Sequence, residues 1–157
     1  MFYVEDQILN YRHVGIIVKD MEKSIDFYCN LLEHKIEVDF IEGGDYFSKL
    51  VGVKNSKARI VKAYGPGGIF VELIQFLTHE VIEPNSNAYN VRSKSHVCFT
   101  VRDIEKIYHR LKSHGVKFVS EPLHSTFDPA ISCFCYDPDN TLVQLIQILD
   151  PDKMMVK

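Results

Sequence analysis

Apolar and polar positions along this chain fall into short blocks, and the blocks come in the same order twice. The run HVGIIV at 13–18 is apolar, rich in β-branched residues and ended by Lys19 and Asp20, which predicts a buried strand. Asp20 stands where a helix N-cap belongs, and Met21, Ile25, Tyr28 and Leu32 then recur at helical spacing to about residue 34. In KIEVDFIE the apolar Ile36, Val38 and Phe40 alternate with charged neighbours, the pattern of a half-buried strand. Gly43 and Gly44 break it, DYFSKLVGV fits a short helix, and a strand over 58–64 runs into the turn GPGG and the apolar run FVELIQF. Residues 77–94 are rich in Asn, Ser and Pro and read as a linker or an extended crossover. The second set has a strand at 96–101, a cap at Asp103 and a helix to about residue 114 on the apolar face Ile104, Ile107, Tyr108 and Leu111. Gly115 takes the left-handed position after it. A strand near 116–120 follows, then a loop through Pro122 and Pro129, a strand at 131–136, the turn DPDN and a strand at 142–148.

The repetition extends to identities. YGPGGIFVELIQ (64–75) and YDPDNTLVQLIQ (136–147) share six of twelve positions, as do RHVGIIVKDMEK (12–23) and SHVCFTVRDIEK (95–106). His13 thus falls opposite His96, and Glu72 opposite Gln144. The first copy is eleven residues longer between those positions, and the surplus falls most naturally within 43–57. Strand parity puts His13, Gly15 and Ile17 on one face, and Phe70, Glu72, Ile74 and Phe76 on one face of theirs. Glu72 therefore sits among apolar neighbours and needs a counter-charge, a proton or a metal. Gln144 sits among Leu142, Ile146 and Ile148, as a ligand or as a hydrogen-bonding group across a cavity. Cys98 shares the His96 face and is expected as a buried small hydrophobe. His34, His109 and His114 fall on helices or at their ends, His79 and His124 in loops, all expected at the solvated surface.

Composition narrows the partner. The chain of 157 residues is 46% hydrophobic with 11% aromatics, enough for a compact soluble protein. Its net charge of -3 comes from scattered acids and bases, so no basic run offers a nucleic-acid phosphate backbone a footing, and a small molecule is the expected partner. No apolar run reaches the roughly 18 residues that suggest a membrane span, and the start MFYVEDQILNY lacks a secretory signal's apolar core. Cys29, Cys98, Cys133 and Cys135 form neither a CxxC pair nor a disulfide framework, which fits reduced thiols in the cytoplasm.

These residues resemble the vicinal oxygen chelate superfamily, which includes glyoxalase I, methylmalonyl-CoA epimerase, extradiol dioxygenases, and bleomycin- and fosfomycin-resistance proteins. The likeness runs over about 12–148 and is carried by HVGIIVKDMEKSIDFY, VELIQF, HVCFTVRDIEKIYHRLKSHGV and YDPDNTLVQLIQ. It implies an α+β fold of two tandem βαβββ modules whose mixed sheets curl around a central cavity. The expected division is a lead-in at 1–11, module 1 at 12–76, a linker at 77–94, module 2 at 95–148 and a tail at 149–157, with both modules in one structural domain. Carried over position by position, the likeness implies one divalent ion (Zn, Ni, Co, Mn or Fe) held by His13, Glu72, His96 and Gln144. Two imidazoles, a carboxylate and an amide oxygen suit such an ion.

Family members of the glyoxalase, epimerase and dioxygenase types keep a carboxylate where this chain has Gln144. Gln144 cannot take a proton, which leaves Glu72 as the general base for abstraction next to a carbonyl. The expected activity is a glyoxalase- or epimerase-type lyase or isomerase working on a small carbonyl compound or thioester through a metal-stabilised enediolate. One alternative is a non-catalytic protein that binds a drug or metabolite, as resistance proteins do. A second is an Fe(II)-dependent ring-cleaving oxygenase. A homodimer is expected.

Overall fold

The structure, a computed structural model, describes residues 10–68, 70–84, 89–90 and 94–153. Most of the lead-in at 1–11, parts of the linker at 77–94 and the end of the tail at 149–157 lie outside the described residues. The first set comprises β1 (His13–Ile17), α1 (Met21–Ile25), β2 (Lys35–Gly43), α2 (Gly44–Val51), β3 (Lys57–Tyr64) and β4 (Phe70–Phe76). The second comprises β5 (His96–Thr100), α3 (Ile104–Ser113), β6 (Leu123–His124), β7 (Ala130–Tyr136) and β8 (Leu142–Ile148). Two four-stranded mixed sheets result, ordered β1-β4-β3-β2 and β5-β8-β7-β6, with β1 parallel to β4 and β5 parallel to β8. This is the paired βαβββ plan expected from the repeat.

The helix starts follow the sequence closely. The Asp20 carboxylate accepts from the Lys23 amide at 3.3 Å, and Asp103 accepts from the Lys106 amide at 3.0 Å, so both helices open on matching side-chain caps. Gly115 follows α3 at φ +82°, a conformation that side chains resist. The helix expected through residue 34 instead changes after Ile25 into a π-helical stretch, Asp26–Leu31. That wider turn carries the neighbouring residues Phe27 and Tyr28 both into the interior.

Two strands differ from expectation. β2 is an edge strand whose register shifts between Ile36 and Val38, and both side chains are about two-fifths exposed rather than packed. The segment at 116–120 follows β7 through a single bridge, Phe118 to Cys135, and two backbone bonds, Val119 N to Phe134 O and Tyr136 N to Lys117 O. Lacking a regular ladder, it leaves the outer place in the second sheet to β6, where a loop was expected.

A single core joins the two sheets through the helices. It unites Ile16, Val61, Val71 and Leu73 of the first sheet with Cys133, Cys135, Val143 and Leu145 of the second, around Met21, Phe27, Tyr28, Ile104 and Leu111. The helices therefore lie between the sheets, and modules too small to bury much surface alone share one interior. Polar contacts tie the halves at the same level: the Tyr28 hydroxyl donates to Asp137 Oδ2 at 2.9 Å, and Arg110 Nη1 donates to Leu31 O at 2.8 Å.

His34 also belongs to this seam, not to the surface as its place at a helix end suggested. It is 5% exposed, its ring edge meets Phe99 of the other module at 5.1 Å, and a side chain at Gly65 would come within 2.6 Å of its Nε2. Burial holds its pKa below the ordinary 6.5. The unfolded chain then binds a proton more readily than the folded one, so stability is full above pH 6.5 and falls as pH drops towards the folded-state pKa. Buried Asp137, held above its ordinary 3.8 by burial, has the opposite sign: its contribution is full below pH 3.8 and is lost as pH rises through its folded-state pKa. Denaturant midpoints are expected to fall as pH goes from about 7 to about 5, with a flatter slope in His34→Gln. An unchanged slope in that variant would assign the acid loss to other groups.

Candidate functional site

The outer faces of the two sheets, turned away from the shared core, carry the four candidate ligands. Parallel pairing of β1 with β4 sets Gly15 opposite Glu72 and His13 two residues away, on the same face. His13 Nε2 lies 3.3 Å from Glu72 Oε2, with the side chains 30% and 16% exposed. The His13 ring stacks on Phe70 at 4.8 Å, and Phe70 packs on Tyr64 at 4.7 Å, so aromatic contacts fix the imidazole. On the second sheet, Cys98 pairs with Gln144 and His96 with Leu142, the same offset in register. His96 is exposed and meets the Phe134 ring edge at 5.1 Å, while Gln144 is half-buried across from Phe134.

His13 and Glu72 are thus brought together, and His96 and Gln144 stand in the matching place on the other sheet, with the helix layer between the pairs. Among the described residues no three His, Cys, Asp or Glu side chains converge on a metal-sized site within one chain. Each pair is half of the expected ligand set. The edges of β1 and β5 beside these pairs are unpaired among the described residues, since β1 bonds β4 alone and β5 bonds β8 alone. Ile17, Cys98 and Thr100 are exposed on those strands, so Cys98 is not the buried hydrophobe that the sequence suggested.

Lys62 completes the first pair and was missed in the sequence. It faces Glu72 in the antiparallel register of β3 and β4, and its Nζ lies 3.4 Å from Glu72 Oε1. Alternation along KARIVKAY already places Lys62 on the face of Ile60 and Tyr64; a lysine there passes for a solvated side chain until the strand pairing is known. The insertion in the first copy forms α2, whose Phe47 covers Ala58 and Ile60 and packs near Phe40, Ile74 and Phe76, walling one end of the same face.

The residues of the first pair fit a divalent ion. Two ligands at about 2.0–2.2 Å from one ion, subtending 90–110°, lie about 3.0–3.5 Å apart, and the observed 3.3 Å falls in that range. His13 Nδ1 is buried without a hydrogen-bond partner among the described residues, so the ring has polar capacity that the chain itself leaves unfilled. No helix among the described residues is long and apolar enough to cross a membrane.

Comparison with known proteins agrees with this architecture. The chain is 28% identical over 148 residues to a lactoylglutathione lyase of Schizosaccharomyces pombe, covering 85% of this chain and 46% of that relative's length. It is 26% identical over 139 residues to a probable lactoylglutathione lyase of Synechocystis, covering 86% of this chain and 92% of the relative. A glyoxalase family protein from Bacillus cereus superposes with a TM-score of 0.85 at 24% identity, over 95% of this chain and 100% of the other. A fosfomycin resistance protein, FosX, from Listeria monocytogenes, solved with Mn(II) and sulfate, superposes with a TM-score of 0.57 at 19% identity, over 94% and 98%. With its paired modules, its repeated histidine strands and a family model that matches residues 10–145, the chain belongs to the glyoxalase/bleomycin resistance protein/dioxygenase superfamily.

Proposed function

We propose that this chain is a divalent-metal-dependent enzyme of the glyoxalase or epimerase type, acting on a small carbonyl compound or thioester at sites assembled between two copies. The observation that carries the reading is the 3.3 Å contact of His13 Nε2 with Glu72 Oε2 on an outer sheet face. The relatives named as lactoylglutathione lyases favour the same class of reaction. Pairing β1 of one copy with β5 of the other about a twofold axis would join two half-sheets on each side. His13 and Glu72 would then face the partner's His96 and the partner's Gln144, giving two equivalent sites with an ion held by these four residues.

A bound divalent ion supplies Lewis-acid polarisation of a substrate carbonyl. Glu72 is the one carboxylate among the four, so it takes the proton from the carbon beside that carbonyl, at a carboxylate oxygen. Gln144 holds its amide oxygen in place without exchanging a proton. Phe40, Phe70 and Ile74 on the same face keep water from the reacting carbon. We place the protein in the cytoplasm, where its free cysteines stay reduced.

The test is elemental analysis of the protein as purified, joined to an assay for lactoylglutathione formation from glutathione and methylglyoxal and for epimerisation of a 2-substituted thioester. The reading predicts about one ion per chain and turnover lost on chelation and in Glu72→Gln. A metal-free protein without turnover would overturn it. Gln144 favours one second reading: a chain without the second carboxylate could bind a small molecule tightly and not turn it over. Gln144→Glu separates the two, because a rise in glyoxalase turnover would mean that the native chain does something else.

A further inference from the structure

A recess opens where the two modules meet at the helix layer. Its lining comes from α1 and the π-helical stretch of module 1, and from the segment 114–117 and the DPDN turn of module 2. None of the four candidate metal ligands takes part. The volume is about 650 Å³, within the roughly 300–1,000 Å³ of small-molecule sites. The wider turn at Asp26–Leu31 supplies Asp26, Phe27 and Leu31 to the lining, and such turns occur frequently at functional sites. Phe27, Leu31 and Val116 make part of the lining apolar.

The carboxylates and ammoniums of the lining are matched within the chain, with two exceptions. Lys23 Nζ lies 3.3 Å from Asp20 Oδ2, and Arg59 Nη1 donates to Glu22 Oε1 at 2.6 Å. Asp137 is filled by the Tyr28 hydroxyl and by the Asp139 and Thr141 amides. The Asp26 carboxylate, on module 1, accepts only from the Asn30 side-chain amide at 2.8 Å among the described residues. The Lys117 ammonium, on module 2, has no ion pair or hydrogen bond among the described residues. One anion and one cation thus border the same recess from opposite modules, and neither reaches the other. A ligand with a single charge matches one of them and leaves the other to water, whereas a ligand with both charges matches both.

We propose that this recess is a second binding site, separate from the metal ligands, for an aliphatic amino acid held as a zwitterion. The ligand's ammonium meets Asp26, its carboxylate meets Lys117, and its carbon chain lies on Phe27, Leu31 and Val116. Nothing in this assignment depends on the metal reading above.

Nuclear magnetic resonance titration of isotope-labelled protein tests the assignment, in EDTA so that no probe binds through a metal. The probes are leucine, 4-aminobutyrate and 6-aminohexanoate, and pentanoate and pentylamine serve as controls with one charge each. At least one amino acid is expected to shift the backbone amides of Leu31, Gly115 and Asn140, and to bind at least about threefold more tightly than either control. Which of the amino acids binds best reads the spacing of the two charges. Asp26→Asn and Lys117→Met change exposed side chains, so both should unfold at the wild-type midpoint. Each should weaken the preferred amino acid about 3–10-fold. The proposal is overturned if none of the three amino acids shifts these amides, or if a control binds as tightly as the best of them. Weakening in only one variant would make the ligand singly charged and overturns it too, as does weakening in neither.

Discussion

Replacing His13 by alanine should strip the chain of its divalent ion while leaving the fold standing. In the proposed site the imidazole is one ligand of four, and its loss leaves Glu72 facing Lys62 alone, an arrangement that neutralises the carboxylate without any metal. Removing a supporting outer-shell residue already costs roughly 10–100-fold in affinity, so removing a ligand should cost more than about a hundredfold. The fold tolerates the change because His13 is nearly one-third exposed and contributes a stacking contact with Phe70 and no strand-ladder hydrogen bond from its side chain. Metal content by elemental analysis and thermal unfolding of the same sample check both halves. Full metal occupancy in His13→Ala would remove this residue from the ligand set; joint loss of metal and fold would make its role structural.

Asp137→Ala should be among the most destabilising single changes in the chain. Asp137 is 4% exposed and accepts three hydrogen bonds: from the fully buried Tyr28 hydroxyl at 2.9 Å, the Asp139 amide at 2.9 Å and the Thr141 amide at 2.7 Å. It therefore holds both the DPDN turn of the second module and the helix of the first. Burial raises its pKa, and these donors act against that rise, so the carboxylate is retained for what it accepts. Alanine leaves three donors without an acceptor, for a loss of about 3 kcal/mol. For a chain of this size that is a Tm lower by about 6–12 °C. Tyr28→Phe removes one of the three bonds and should cost about 1–2 kcal/mol. A double mutant no worse than Asp137→Ala would show that the two side chains act as a unit. A loss under about 1 kcal/mol in Asp137→Ala would mean that water replaces the carboxylate.

Much of the fold could be read from periodicity and repetition. The Asp20 and Asp103 caps, the strands at 58–64 and 142–148, and the apolar face of α3 appear where local pattern put them, because neighbours in sequence decide those features. What sequence missed depends on pairing across the chain. Val38 looks half-buried in an alternating strand, yet it lies on an edge with a shifted register. His34 looks like a helix-end surface residue, yet the second module covers it. Parity found that Glu72 faces the same way as Phe70 and Ile74, but Lys62 became part of the site only once β3 was laid beside β4. The largest gap concerns the two modules. Equal repeats give no sign of whether helices or outer faces meet, and here the helices meet, which turns His13 and His96 away from each other.

Because the proposed ligand set is divided between two copies, one mixing experiment is decisive for it. In the proposed dimer, His13→Ala and His96→Ala should each spoil both sites of a pair of identical chains. In a mixed dimer one site receives both alanines, and the other receives intact His13 and Glu72 from one chain with intact His96 and Gln144 from its partner. Equal amounts of the two variants, unfolded and refolded together, should recover roughly a quarter of the wild-type metal content, since half of the dimers are mixed and one of their two sites is whole. A mixture that binds no more metal than the separate variants would contradict a site built between copies.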